Sequence, residues 1–341
     1  MLVVVKEKKG PGYALKDVPM PAVGPDAILI KVKAVGICGS DIPIIKGVRD
    51  VPIPLIPGHE FAGEVVAVGA NVTRFQAGDR VTPGLVIRCG HCLPCREGLE
   101  SLCDNILETG IHVDGAFAEY VAVPEQTVHH LPAGMSYEWG ASIDPIASAY
   151  RPVKKAGIGS ESTVIVFGPG PIGLYALQVA KAEGAARLIL VGIPGDEGRL
   201  ALGRELGADY TVVYDPETFV PMVTKLTGGL MADAVIEATG SEKVFNTCID
   251  VLRKGGRLCV AGITHKMAEF NFAKVVRHEL KVEGSICYTW MDYRESLALV
   301  ASGRVKVDPL ITHRFPLRDF ARALEVIDRR ESIKVMLYPD K

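Results

Sequence analysis

A chain of 341 residues is too long for one ordinary hydrophobic core, so two domains are expected, and 48% hydrophobic with 23% charged residues is the composition of a folded globular protein. With 38 basic against 40 acidic side chains the formal charge is −2, and no Lys/Arg stripe exists to neutralise a phosphate backbone, which excludes nucleic acid as a partner. The opening MLVVVKEKKG meets charge too soon for a signal peptide, and the uncharged run from Ser162 to Ala180 is broken by Gly168, Pro169, Gly170, Pro171 and Gly173, so the expectation is a cytoplasmic protein without a membrane span.

To about Val123 the runs ILIKVKAVGI, EFAGEVVAVG, DRVTPGLVI and AEYVAVP recur between Gly, Pro, Asp and Asn, as strands of an all-β sandwich or barrel do. Cys38 in GICGSD and His59 with Glu60 in GHEFAGE provide a thiolate, an imidazole and a carboxylate, the donor types of a zinc centre that keeps a position open for water or substrate. Alone, each reads as readily as a buried thiol or a surface pair. Cys89, Cys92, Cys95 and Cys103 follow, separated by two, two and seven residues, and turns of that size let four thiolates converge on one structural Zn²⁺. An iron–sulfur cluster uses the same ligands, and unrelated buried thiols are the plain alternative.

Between Asp144 and Ser160 a helix-like IASAYRPVKKAG is interrupted by Pro152 and followed by Gly157 and Gly159, which puts a domain boundary there. From Ser162 strands and helices alternate: TVIVFG, PIGLYALQVAKAEG, RLILVG, RLALGRELG, YTVVY, DAVIEATG and GRLCVAG. That order implies parallel pairing in a doubly wound α/β sheet. Gly168, Gly170 and Gly173, with Pro171 and Ile172 among them, follow the strand TVIVF and open the helix IGLYALQVAKAEG, the context in which GxGxxG turns tightly, admits a pyrophosphate and packs strand on helix. Gly192 stands where an acid would bind the ribose, with Asp196 and Arg199 just beyond; this permits NADP, while Asp196 swinging inward would permit NAD. Thr239, Gly240, Ala261 and Gly262 end later strands, the edge where such sheets bind ligands, and Cys248 and Cys259 read as core residues.

Taken in order, GICGSD, GHEFAGEVVAVG, the four-cysteine lobe, DGAFAEYVAVP and VFGPGPIG resemble the zinc-containing medium-chain dehydrogenases of the polyol and threonine branches, over nearly the whole chain. The resemblance implies a GroES-like β-barrel catalytic domain at 1–150 carrying two zincs, one catalytic and one structural, a Rossmann domain at 151–285 binding NAD or NADP, and a return of 286–341 to the first domain. It implies hydride transfer with a small-molecule alcohol or polyol, and a homodimer or homotetramer. The family's second cysteine ligand is replaced here by SIDPIASAY, making Asp144 the candidate fourth ligand beside Cys38, His59 and Glu60, with an Asx-type turn or helix cap as the competing reading. A centre with two carboxylates is a stronger Lewis acid than one with two thiolates. Asp41 is placed to accept the other ring N–H of His59. Ser40, by resemblance, passes the alcohol proton toward solvent. Where many relatives continue that relay with a His, this chain has Pro43, which argues against a threonine dehydrogenase. His112 and Tyr288 to Trp290 are further candidates to line the substrate site, with a partly buried structural His or aromatic as the favoured reading of each. A non-catalytic NAD(P)-binding redox sensor would have little reason to keep Cys38, Asp41, His59 and Glu60 together, and a zinc-ribbon interaction module would explain the cysteine lobe alone.

Overall fold

The computed structural model describes residues 1–264 and 266–339, and they divide into two compact units. The first holds Met1–Pro145, Tyr288–Ala301 and the chain from Val307 onward; the second holds Ile146–Cys287 and Ser302–Lys306.

A seven-stranded sheet organises the first unit, in the order Ile311–Pro316, Lys334–Tyr338, Ala27–Gly36, Glu60–Val68, Arg80–Pro83 and Val128–His130, with Tyr120–Pro124 added along Ala27–Gly36. The ten-residue strand AILIKVKAVG pairs antiparallel with three neighbours, and its Ile28, Ile30 and Val32 are fully buried. These side chains meet Val3, Phe117, Val121 and, from the C-terminal segment, Leu317, Phe320, Val335 and Leu337 in one core. Each such side chain contributes roughly 1.5–3 kcal/mol by leaving water. The register that pairs Gly36 with Glu60 sets the segment just after the first strand beside the segment just before the second. Cys38 and His59 lie on those two segments.

Six parallel strands form the sheet of the second unit, in the order Tyr210–Val213, Arg187–Gly192, Thr163–Phe167, Ala232–Glu237, Leu252–Val260 and Lys281–Gly284. Thr163–Phe167 is buried at every residue, as expected of a central parallel strand covered on both faces. Its successor helix Pro171–Ala182 starts with proline at the first turn, where the missing N–H costs nothing. The β-rich first part and the doubly wound parallel sheet anticipated from the sequence are both present. One local expectation needs correction: Pro152 does not interrupt its helix, which runs unbroken from Ile143 to Ala156. Ile146, Ala147, Ala149 and Val153 are all fully buried, and that apolar face outweighs the loss of one intrahelical hydrogen bond. Among the described residues no helix is long and apolar enough to cross a membrane.

Candidate active site

Cys38, His59 and Glu60 come together as the strand register requires, with one donor atom from each inside a group no wider than 4.8 Å. His59 and Glu60 are buried and Cys38 is partly exposed, so the group opens on its thiol side. Asp41 starts the short helix Asp41–Ile45; its Oδ2 accepts the Cys38 N–H at 2.8 Å, and its Oδ1 faces His59 Nδ1 at 3.6 Å. That separation is longer than the hydrogen bond anticipated, and both facing atoms are buried without a partner. Ser40 caps the same helix in position only, since its hydroxyl makes no capping bond.

Lys334, on the strand Lys334–Tyr338, donates to Glu60 Oε2 at 2.5 Å and to the Ile37 carbonyl at 3.2 Å; lysine and glutamate are 3% and 1% exposed. Asp144 lies in the first turn of the helix Ile143–Ala156, outside the three-donor group, and its Oδ2 accepts the Tyr288 hydroxyl. Tyr288 Oη in turn accepts the Leu85 N–H at 2.8 Å. Burial pushes the Asp144 carboxyl up to about 7, with His59 opposing and Glu60 reinforcing that rise. Burial works against a charged His59, but Asp41 and Cys38 outweigh it and hold the imidazole well above its usual value. Around these groups the carboxyls of Asp41, Glu60 and Asp144 and the Cys38 thiol gather, and Lys334 is the lysine that pairs with them among the described residues. A divalent cation suits such a gathering, and the mixed S, N and O donors suit zinc.

The second cluster is of another kind. The Sγ atoms of Cys89, Cys92, Cys95 and Cys103 all lie within 4.8 Å of one another, and none is in a disulfide. Cys92 and Cys103 are 3.8 Å apart, close to the roughly 3.8 Å edge of a tetrahedron with Zn–S bonds of about 2.3 Å. N–H groups of His91 and Cys92 hold the Cys89 thiol down at about 6, the state a metal needs. Burial and the neighbouring Cys92 push Cys95 up to about 12.

At the carboxyl edge of the parallel sheet, Gly168 has φ +99° and Gly173 lies so close to the Gly168 carbonyl that a Cβ would sit 1.8 Å from its oxygen. Gly170 has nothing within 4 Å of its Cβ position, leaving its backbone open to a ligand. Pro171 and Ile172 begin the helix, while Thr239 with Gly240 and Ala261 with Gly262 follow the ends of their strands. Gly192 ends Arg187–Gly192, but Asp196 does not swing inward: its Oδ2 accepts the Ile193 N–H at 3.1 Å and its Oδ1 is 4.0 Å from Arg199. His112 is 3.6 Å from Glu108, and Trp290 packs on His129. Sequence reasoning missed Lys334 and the Tyr288–Asp144 bond. Neither has a local signal, because a lysine opening an apolar strand reads as a solvated end.

A soft-and-hard metal centre and a four-thiol lobe on one β-rich unit, with a dinucleotide sheet in the same chain, define a zinc-dependent oxidoreductase of the alcohol dehydrogenase type. Residues 24–133 match the alcohol dehydrogenase GroES-like domain and residues 171–302 the zinc-binding dehydrogenase family. The chain is 37% identical to the sorbitol dehydrogenase of Halalkalibacterium halodurans over 99% of both chains, and 37% identical to the D-arabitol-phosphate dehydrogenase of Enterococcus avium over 97% of this chain and 96% of that one. The L-threonine 3-dehydrogenase of Bacillus licheniformis follows at 36% over 99% of both. Among solved structures, a zinc-binding dehydrogenase of Sinorhizobium meliloti 1021 bound to NADP superposes with a TM-score of 0.91 at 32% identity, covering 99% of each chain. The chain belongs to the zinc-containing medium-chain dehydrogenases. It is a zinc-binding, NAD(P)-dependent enzyme of the alcohol and polyol type, with a structural Cys₄ site and a catalytic Cys/His/Glu site.

Proposed function

We propose that the enzyme oxidises a secondary hydroxyl of a polyol or sugar alcohol, reversibly, and that NADP is accepted as well as NAD. The observation that carries the reading is the three-donor group of Cys38, His59 and Glu60, whose carboxylate is held by the buried Lys334. When bound, the zinc supplies a Lewis acid for the alcohol oxygen and the dinucleotide takes up the hydride. Cys38, His59 and Glu60 would hold the metal, and Asp144, whose Oδ2 is held by the Tyr288 hydroxyl, would be the fourth residue to serve it. Lys334 balances part of the carboxylate charge and turns Glu60. The Ser40 hydroxyl, not engaged in capping, takes the alcohol proton and hands it to solvent.

Relatives named for sorbitol and D-arabitol phosphate support the polyol reading, and those named for threonine stand almost as near in identity. Pro43 supports the polyol reading: it sits inside Asp41–Ile45, offers Val48 and Arg49 only a backbone carbonyl, and puts no ionisable group beyond Ser40 and Asp41. NADP is supported by the empty acid position at Gly192, where a Cβ would already be 3.0 Å from Pro169 Cγ, and by Asp196 being engaged within its own loop.

The test follows reduced-nicotinamide absorbance with sugars, polyols, sugar alcohol phosphates, threonine and simple secondary alcohols, against NAD and NADP in parallel. Turnover with a polyol, with Cys38→Ser and Asp144→Asn each lowering bound zinc from about two to about one per chain, is the expected result. Turnover with threonine alone overturns the polyol reading, and full zinc retention in Asp144→Asn removes Asp144 from the donor set.

A further inference from the structure

Glu237 ends the strand Ala232–Glu237 and is 0% exposed, yet neither the metal nor the proton path uses it. Its Oε1 accepts the N–H of Thr239 at 2.6 Å and of Gly240 at 3.0 Å, together with the Thr239 hydroxyl. The same residue's backbone oxygen accepts the N–H of Ala261 at 2.8 Å and of Gly262 at 3.0 Å. One residue thus receives donors from two turns, each following a different strand of the parallel sheet.

Those turns are packed without slack. A Cβ on Gly262 would lie 2.1 Å from the Gly240 nitrogen and 2.6 Å from Glu237 Oε2, and one on Gly240, whose φ is +65°, would lie 2.6 Å from the Ile263 carbonyl oxygen. A Cβ on Gly168 would be 2.9 Å from Thr239 Cγ2, which sets the first glycine of the dinucleotide turn against the same group. Burial pushes the Glu237 carboxyl up, and the Thr239, Gly240 and Gly262 donors pull it back. A buried carboxylate contributes little net stability beyond an apolar residue of the same volume, but charge-assisted bonds fix the direction of every N–H they receive.

We infer that Glu237 is a positioning residue for the dinucleotide, its carboxylate pinning the turns at Ala238–Gly240 and Ala261–Ile263 against Gly168 in the arrangement that the dinucleotide binds. The inference rests on this sheet holding NAD(P). Removing the charge frees the Thr239 and Gly240 N–H groups to turn, so dinucleotide affinity falls while the chemistry at the metal is left alone.

Glu237→Gln keeps the side-chain volume and removes the charge. Fluorescence titration of the zinc-loaded enzyme with NADPH and NADH, without substrate, is expected to show Kd raised about tenfold. kcat at saturating dinucleotide should stay within about threefold and zinc content should not change, a split that a merely structural defect does not produce. Thr239→Val, which loses only the hydroxyl donor, should raise Kd about threefold and serves if Glu237→Gln does not fold. A folded Glu237→Gln with Kd within about twofold of wild type overturns the inference, and so does an unchanged Kd in Thr239→Val where Glu237→Gln fails to fold. Wild-type protein that binds neither dinucleotide overturns the cofactor reading beneath it, a failure distinct from the other two.

Discussion

His129 shows how far a single side chain's surroundings decide its chemistry. Its ring stacks on Tyr293 at 4.6 Å and packs at a tilt against Trp290 at 4.9 Å, and it is 8% exposed. Burial, with Arg74 and His130 adding to it, lowers its pKa to about 3 from an ordinary 6.5. The folded protein therefore refuses a proton that the unfolded chain accepts between those two values. Stability is then complete above about pH 6.5 and declines as pH falls toward 3, approaching about 1.4 kcal/mol per unit. Chemical denaturation at saturating zinc should show His129→Phe, which retains the stack, losing about 2 kcal/mol less than wild type between pH 7 and pH 5. Equal losses would mean that the ring is protonated in the fold. The buried Glu60–Lys334 pair belongs to the same scale: partners 274 residues apart were invisible to spacing, because neither residue is unusual in its own neighbourhood.

The strand-turn-helix from Thr163 to Ala182 was legible because Gly168 and Gly170 sit between a fully buried strand and a proline-opened helix that carries Gly173 in its first turn, and local chemistry suffices to define such an element. The duties of those glycines differ, and the structure separates them. Gly173→Ala drives a methyl into the Gly168 carbonyl and should cost about 1–3 kcal/mol in a denaturant titration. Gly170→Ala meets nothing within 4 Å, so its stability should change by less than about 0.5 kcal/mol while dinucleotide affinity drops. Equal effects of both substitutions on stability would contradict this division of labour. The cysteine lobe was legible for a similar reason, its four ligands falling within one short segment. Asp144 was proposed as a ligand by resemblance alone, and its tie to Tyr288 spans 144 residues, beyond any local pattern.

On the scale of the whole chain, two units with separate cores and separate ligands should respond separately to those ligands. Calorimetry is expected to resolve two transitions. Chelation, or Cys92→Ser, should lower the one belonging to the unit with both metal sites, and NADPH should raise the other. A single transition shifted equally by both treatments would show that the units melt as one.

The two units also differ in how the chain is threaded through them. Ile146–Cys287 is nearly continuous, lacking only Ser302–Lys306, whereas the sheet of the other unit takes Ile311–Pro316 and Lys334–Tyr338 from the far end of the sequence. During translation the dinucleotide unit can close soon after residue 306 emerges. The earlier-made half must wait, with the flank of Ala27–Gly36 beside Val35 and Gly36 unpaired, until Lys334–Tyr338 leaves the ribosome. Lys334 arrives on that strand, so Cys38, His59 and Glu60 are made long before the lysine that balances the Glu60 carboxylate, and stable metal loading is expected only after Lys334–Tyr338 has paired.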